Sequence, residues 1–490
     1  MFLPDLVIRS RQVVTPRGLR PASVHVRNGK VIGVVDFDDV PAGCPLEDAG
    51  DLAMLPGIVD TQVCVCPPNL PNLDGFEAAL ETGTRAAAVG GVTTIVDTPD
   101  GALATATVSS FGMKRQAAAG RSFVDVGFWG SAVPGNAGDL APLFEAGVLG
   151  FACDLEQSRA AGGCHAVSEA DLRVAMPVLT RLGATLVAGA GLARPAAGPH
   201  HVRPGRRWFK RLPWLPHLSR ACQYATYLES RPKAAENEAV DLLIRLCRAS
   251  ATRTHIATLS SSDVLTPLYR ARAERLPITA GTCPHFLYFV AEEIPDDATA
   301  FLCDPPIRDR ANRELLWAAL ANGLIQMVAS DHAAVQPCLP SARSSRAVAP
   351  GPRLAGWGIS SLELNLSVMW TVARARGRTL EHLAEWMCRR PAELAGLTRK
   401  GKIDVGYDAD LVVFNPDREF VVEARSLQRS ARPSPYLGRR LRGTVEGTYL
   451  RGAQIYRRRT DSARQEESIE ASPWRGPLEA RGRLLVRGAT

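Results

Sequence analysis

The side chains in this sequence that could do chemistry are thiols, carboxylates and imidazoles set in or beside short apolar runs. In Thr61-Gln62-Val63-Cys64-Val65-Cys66 the apolar and polar positions alternate. Side chains on a strand repeat every second residue, so Gln62, Cys64 and Cys66 share one face. The same rule puts Asp154 on the face of Ala152. Thiolate and carboxylate are donors that a zinc-class cation accepts, and an ion so held turns a bound water into a nucleophile at neutral pH. The competing reading is a set of buried, inert thiols, the common condition of cysteine in a protein interior. Imidazoles stand at His255, in Thr282-Cys283-Pro284-His285 and in Ser330-Asp331-His332. Arg308, in Pro305-Pro306-Ile307-Arg308-Asp309, either orients a loop over a pocket or makes a plain salt bridge.

The elements that must position these groups change character along the chain. Residues 1–55 read as short strands (6–9, 23–27, 31–35 and 52–55) separated by Gly, Pro and Asp turn signals, a small β domain. From 56 to 397 short apolar runs such as Thr93-Thr94-Ile95-Val96-Asp97 and Ala184-Thr185-Leu186-Val187-Ala188 alternate with longer helical stretches. Repeated β-then-α units imply a parallel sheet covered on both faces. Residues 398–460 return to strands, which are expected to join the N-terminal ones, and 461–490, rich in Arg, Glu, Ser, Gly and Pro, read as a poorly ordered tail. A chain of 490 residues accommodates a (β/α)8 barrel of about 250 residues with a satellite domain.

Composition narrows the class. Hydrophobic residues at 46% and charged residues at 22% are ordinary soluble usage, and no apolar run approaches the roughly 18 residues of a membrane span. The N-terminus enters a strand pattern at once, without a secretory signal, and the 11 scattered cysteines, an odd number, suit reduced thiols; the expectation is an intracellular, cytoplasmic protein. The net charge of +8 gathers in Arg203–Arg220, which contains no acid, and beyond Arg429. The first segment reads as a solvated basic loop, with an acidic partner as the alternative.

The order of motifs resembles the allantoinases, within the cyclic amidohydrolases that include dihydroorotases and hydantoinases. Pro56-Gly57-Ile58-Val59-Asp60, Glu81-Thr82-Gly83-Thr84-Arg85 and Gly90-Gly91-Val92-Thr93-Thr94 look like the family's opening barrel units. Tyr227-Leu228-Glu229-Ser230-Arg231-Pro232, Thr282-Cys283-Pro284-His285, Pro305-Pro306-Ile307-Arg308-Asp309 and Ser330-Asp331-His332 follow in the family's order. Trp357-Gly358-Ile359-Ser360-Ser361-Leu362-Glu363, Gly406-Tyr407-Asp408-Ala409-Asp410-Leu411 and Ser434-Pro435-Tyr436-Leu437-Gly438 close the series. The resemblance implies a (β/α)8 barrel with a composite β-sandwich from both termini, a homo-oligomer, and hydrolysis of the ring amide of allantoin, a small ureide, to allantoate in purine catabolism. It also implies two zinc ions, which lower the pKa of a bridging water and polarise the carbonyl.

The residues that would hold those ions depart from the family pattern. The family's His-x-His falls on Gln62 and Cys64, its carboxylated bridging lysine on Ala152, and its two further histidines on Ala188 and Thr258. Of six ligand positions only Asp331 is retained, the group that also moves the proton in the family. The expectation is an allantoinase-like protein impaired in, or without, two-metal catalysis. Two alternatives stand beside it: a working mononuclear site rebuilt from Cys64, Cys66, Asp154 and Asp331, and a non-enzymatic binding or scaffold protein that uses the basic segment. Without metals, Asp331 reads rather as a cap or salt-bridge partner. His255, three residues before Thr258, is expected on the opposite strand face, toward the helices, and His285 and His332 are expected in supporting roles beside the site.

Overall fold

A computed structural model of the chain describes residues 3–66, 73–99, 103–155, 166–189, 224–295, 298–334, 358–424, 427, 434–458 and 480–488. The basic segment Arg203–Arg220 lies outside the described residues.

The first five strands, β1 (Leu6–Thr15), β2 (Gly18–Arg27), β3 (Lys30–Val35), β4 (Leu46–Asp48) and β5 (Ala53–Pro56), belong to one mostly antiparallel sheet. Three strands from the far end of the chain, β16 (Leu411–Val421), β17 (Arg440–Leu450) and β18 (Ala453–Arg457), complete it in the order β18-β17-β16-β5-β1-β2-β3, with β4 on β1. The seam is the antiparallel pairing of β5 with β16, Met54 opposite Val413 and Leu55 opposite Val412. Ile8, Val13, Val24 and Met54 from the N-terminal strands pack with Leu411, Val413 and Tyr449 from the C-terminal ones. The two ends of the sequence therefore share one core, and neither end could bury its apolar face alone.

Between them lie the barrel strands: β6 (Ile58–Cys64), β7 (Val92–Asp97), β8 (Asp125–Phe128), β9 (Gly130–Ser131), β10 (Phe151–Asp154), β11 (Leu186–Gly189), β12 (Thr254–Ile256), β13 (Ile278–Thr282), β14 (Met327–Val328) and β15 (His332–Ala333). They pair in parallel as β15-β6-β7-β8 and β14-β13-β12-β11-β10-β9. Trp129 separates β8 from β9, and residues 329–331 separate β14 from β15, so each of these pairs continues one barrel strand across a break. Eight strands result, closed by β15 on β6, where Ala333 lies opposite Cys64. All six residues of β7 are buried and most are β-branched or threonine, the composition of a parallel strand covered on both faces.

Helices fill the outer layer and carry local start signals. Thr107 and Ser110 form a reciprocal capping box for the helix Val108–Ala118, Ser168 and Asp171 do so for Glu169–Leu182, and Asp309 accepts from the Asn312 N–H to open Arg310–Ala321. Val59, Val96, Val187, Ala257 and Met327 gather with Trp129 and Leu149 in a separate interior cluster inside the strand ring.

The expected disordered tail is corrected for its last described part. Residues 480–488 run along the N-terminal end of the barrel: Leu484 bridges Val126, and Leu485 is buried in the interior cluster with Val59 and Val187. The reason is the apolar run Leu484-Leu485-Val486, which pairs with β8 near the floor of the strand ring, Leu485 entering the interior cluster and Val486 meeting Gly147. Lys400 joins this floor to the sandwich. Its ammonium donates to Asp125 at 2.8 Å and to Asp410 at 2.5 Å, and Arg451 donates to both Asp125 oxygens. Burial opposes ionisation of Asp125, but Lys400 and Arg451 outweigh it and hold its carboxyl below the usual range.

Candidate active site

Such barrels place their chemistry at the C-terminal ends of the strands. Cys64 ends β6, Ala152 and Asp154 lie on β10, Thr258 follows β12, Cys283 follows β13, and Asp331 sits in the break between β14 and β15.

Asp331 is held by its neighbours' backbone. The Ser330 N–H donates to both oxygens of the buried Asp60 carboxyl, at 3.1 and 3.2 Å, and the Gln62 N–H donates to the same carboxyl at 3.2 Å. The Ser330 hydroxyl donates to the Gln62 carbonyl and accepts from the His332 N–H. Asp331 itself takes φ +51°, the left-handed region that a non-glycine residue adopts at a local cost. Burial raises the Asp60 carboxyl to about 6 against these hydrogen bonds, which favour its ionised form.

At the end of β12 the backbone is pinned by a buried ion pair. Glu236 accepts from the N–H groups of Ser260 and Ser261 at 2.7 and 2.8 Å and from the Ser260 hydroxyl, and Arg308 lies 3.5 Å away with a further bond to the Arg231 carbonyl. Of the two readings of Arg308, the salt bridge is what the structure contains, and it anchors a strand end and the 231 turn together. Lys114 and Asp97 form a second buried pair at 2.8 Å, at the end of β7. Cys66 feels both. Burial, with Asp97, pushes its thiol up to about 11, while Lys114 pulls the other way. The Cys64 thiol donates to the Cys66 carbonyl at 3.1 Å.

One expectation about a strand face is corrected. His255 lies on the barrel side, not the helix side: its Nδ1 is 2.8 Å from the Thr279 hydroxyl, and a methyl on Gly281 would stand 3.1 Å from its Nε2 and 3.2 Å from Met327. The strand alternates up to Ala257, which packs in the interior cluster, so His255 shares that cluster's face. Burial drops its pKa to about 3. On β11 it is Val187 that packs in the interior cluster, so Ala188 points to the helix layer and Gly189 turns inward, where an added Cβ would stand 2.4 Å from an Asp154 oxygen. Neither residue offers a ligand atom.

No three of Cys64, Cys66, Asp154 and Asp331, the four residues of the rebuilt site, bring ligand atoms within 4.8 Å of one another. Among the described residues the one group of three or more His, Cys, Asp or Glu side chains close enough to hold an ion is Cys283, His285 and Asp331. The donors at the positions where the resemblance expects the family's ligands do not fit two divalent ions. Ala152 presents a methyl, Thr258 a buried hydroxyl, and Gln62 an amide oxygen that is buried without a hydrogen-bond partner. A catalytic zinc typically takes three good protein ligands and an open position. His332 supports the backbone as expected, its Nδ1 accepting from the Ser361 N–H at 3.1 Å.

Sequence reasoning gave no role to Asp60, Glu236 or Lys114. Asp60 ends the motif Pro56-Gly57-Ile58-Val59-Asp60, but nothing local says that its partner is residue 330. Lys114 is one lysine in a helix and carries no signal.

A closed (β/α)8 barrel, with polar groups at strand C-terminal ends and a β-sandwich made from both termini, defines the chain as an amidohydrolase-type protein. Residues 230–449 match the model of the amidohydrolase family. The chain is 42% identical to a protein of Streptomyces avermitilis named allantoinase, over 92% of this chain and 95% of that one, and 36% identical to an allantoinase of Arabidopsis thaliana, over 92% and 87%. Its fold matches the L-hydantoinase of Arthrobacter aurescens with a TM-score of 0.79 at 25% identity, covering 99% of this chain and all of the other. The chain belongs to the allantoinase family of cyclic amidohydrolases. No helix among the described residues is long and apolar enough to cross a membrane.

Proposed function

We propose that this chain keeps the scaffold of an allantoinase but does not open allantoin by two-metal hydrolysis. The observation that carries the reading is Ala152, a methyl on β10 at the position where the resemblance expects the family's bridging lysine. A methyl at that position would leave two ions without a shared protein ligand, and the side chains at Gln62, Cys64, Ala188 and Thr258 do not replace the missing imidazoles. Asp331 remains as a carboxylate able to accept a proton or contact a ring N–H. The chain is then a binding or partner subunit, in a homo-oligomer, rather than an efficient hydrolase.

The test is direct. Purified protein is assayed for metal content and for allantoate formation, as isolated and after loading with zinc, cobalt or manganese. The expectation is turnover at least about a thousandfold below ordinary enzyme rates of roughly 1–1,000 per second. A chain that holds two ions and opens allantoin at ordinary rates would defeat this reading. Light scattering of the same sample reports the oligomeric state.

A further inference from the structure

We propose that Cys283, His285 and Asp331 form a site for a single zinc-class divalent cation, sharing only Asp331 with the family's two-ion donor set. One ligand atom from each of the three side chains lies within 4.8 Å of the others. A tetrahedral ion with sulfur at about 2.3 Å and nitrogen or oxygen at about 2.0–2.2 Å draws its ligands to roughly 3.4–3.7 Å from one another. A closure of about an ångström reaches that spacing, within the range of side-chain rotation.

The fold brings the three together through one strand pairing. Cys283 follows β13 directly, and His285 comes two residues later in the single turn Pro284–Tyr288. β14 pairs with β13, Val328 opposite Thr282, and the Ala329 N–H donates to the Thr282 carbonyl at 3.1 Å. The chain then reaches Asp331 in its left-handed conformation.

The independent sign of a ligand is His285. Its ring is fully buried, and neither Nδ1 nor Nε2 has a hydrogen-bond partner. Buried polar groups are paired in the great majority of cases, and leaving one unpaired costs about 1–3 kcal/mol, so an imidazole with both nitrogens bare needs an explanation. A metal ion on one nitrogen supplies it. The donors, one sulfur, one nitrogen and one oxygen, suit zinc or cobalt better than magnesium or calcium, which take oxygen alone. Cys283 is a free thiol and Asp331 is half-buried, so the set has one member toward solvent through which an ion can enter. On binding, the Cys283 thiol gives its proton to solvent and the metal–sulfur bond replaces the S–H bond.

The full-length protein, stripped with a chelator, is titrated with Co2+ and followed by absorption. The expected result is one ion per chain with a thiolate-to-cobalt charge-transfer band. The band should persist in Cys64→Ser, vanish in Cys283→Ser, and need at least about tenfold more cobalt in His285→Gln. Circular dichroism establishes that each variant is folded. X-ray absorption of the zinc-loaded wild-type chain gives an answer that no variant's folding affects: one sulfur scatterer at about 2.3 Å is expected. A shell of nitrogen and oxygen only, no cobalt uptake, or a band lost in Cys64→Ser but kept in Cys283→Ser would overturn the proposal. None of these readouts is catalytic, so their failure is distinct from failure of the reading of the chain as a poor hydrolase.

Discussion

The backbone N–H of Ser330 is shared between the two carboxyl oxygens of Asp60, 270 residues earlier in the chain. This contact ties the first barrel strand to the last at the point where the ring closes, one residue before Asp331. Removing the carboxyl in Asp60→Ala leaves the Ser330 and Gln62 N–H groups without it, and the expected loss is about 2–4 kcal/mol of unfolding free energy in denaturant titrations. An unchanged midpoint would show that the closure is held elsewhere.

The same carboxyl has a pH signature. Its folded pKa, raised by burial to about 6, lies above the ordinary carboxylate value of 3.8. The folded state therefore keeps a proton that the unfolded state has lost, and the contribution of Asp60 to stability declines as pH rises from about 4 to 6, by at most about 1.4 kcal/mol per pH unit. Stability of the wild type relative to Asp60→Asn, measured across this window, should fall with rising pH.

His255 acts with the opposite sign. Burial lowers its pKa from 6.5 to about 3, so the unfolded state takes up a proton that the folded state refuses. Its contribution is fully present above pH 6.5 and is lost as pH falls toward 3, by up to about 1.4 kcal/mol per unit. Wild type and His255→Asn, compared by urea unfolding at pH 7.5 and 5, should converge at the lower pH. Equal separation at both would mean that the ring is protonated or exposed when folded.

Lys400 links three buried or half-buried aspartates, Asp125, Asp408 and Asp410, between the barrel floor and the sandwich. Lys400→Met leaves buried carboxylates without their principal cation, and a loss of about 3–5 kcal/mol is expected. The Arg483 N–H donates to Asp125 at 2.7 Å, so the C-terminal segment should loosen as well. Limited proteolysis checks it: cleavage near residue 480 should quicken in the variant.

Gly90 is fixed by contact rather than by conformation. A Cβ there would stand 2.0 Å from the Leu362 carbonyl oxygen and 3.0 Å from the Glu363 Cα, and backbone cannot step aside as a side chain can. Gly90→Ala should cost about 2–3 kcal/mol. Gly112, in the helix Val108–Ala118, meets nothing within 4 Å, and Gly112→Ala should stabilise by about 0.5–1 kcal/mol. Thermal melts of the pair separate crowding from propensity.

Much of this protein is legible in one dimension because its signals are local. Alternation of apolar runs with helical stretches points to the barrel, turn residues and short strands mark both halves of the sandwich, and the absence of a ligand atom at Ala152 is visible in the letter itself. Where the reading failed, the deciding contact was remote. Counting back from Thr258 puts His255 on the helix face, but β12 ends at Ile256 and period two holds only up to Ala257. The tail read as disordered by composition, yet Leu484 and Leu485 found an apolar floor that no local pattern announces.

What the sequence determined by itself is which donor atoms exist near each strand end, since a methyl cannot bind an ion in any fold. Only the tertiary structure decided which donors meet. Strand faces in sequence suggest Cys64, Cys66 and Asp154 around Asp331, whereas pairing of β13 with β14 is what gathers Cys283 and His285 with Asp331. The physical reason is that periodicity fixes the direction of a side chain about its own strand, while the distance between strands is set by ring closure and register, which depend on the packing of the whole barrel.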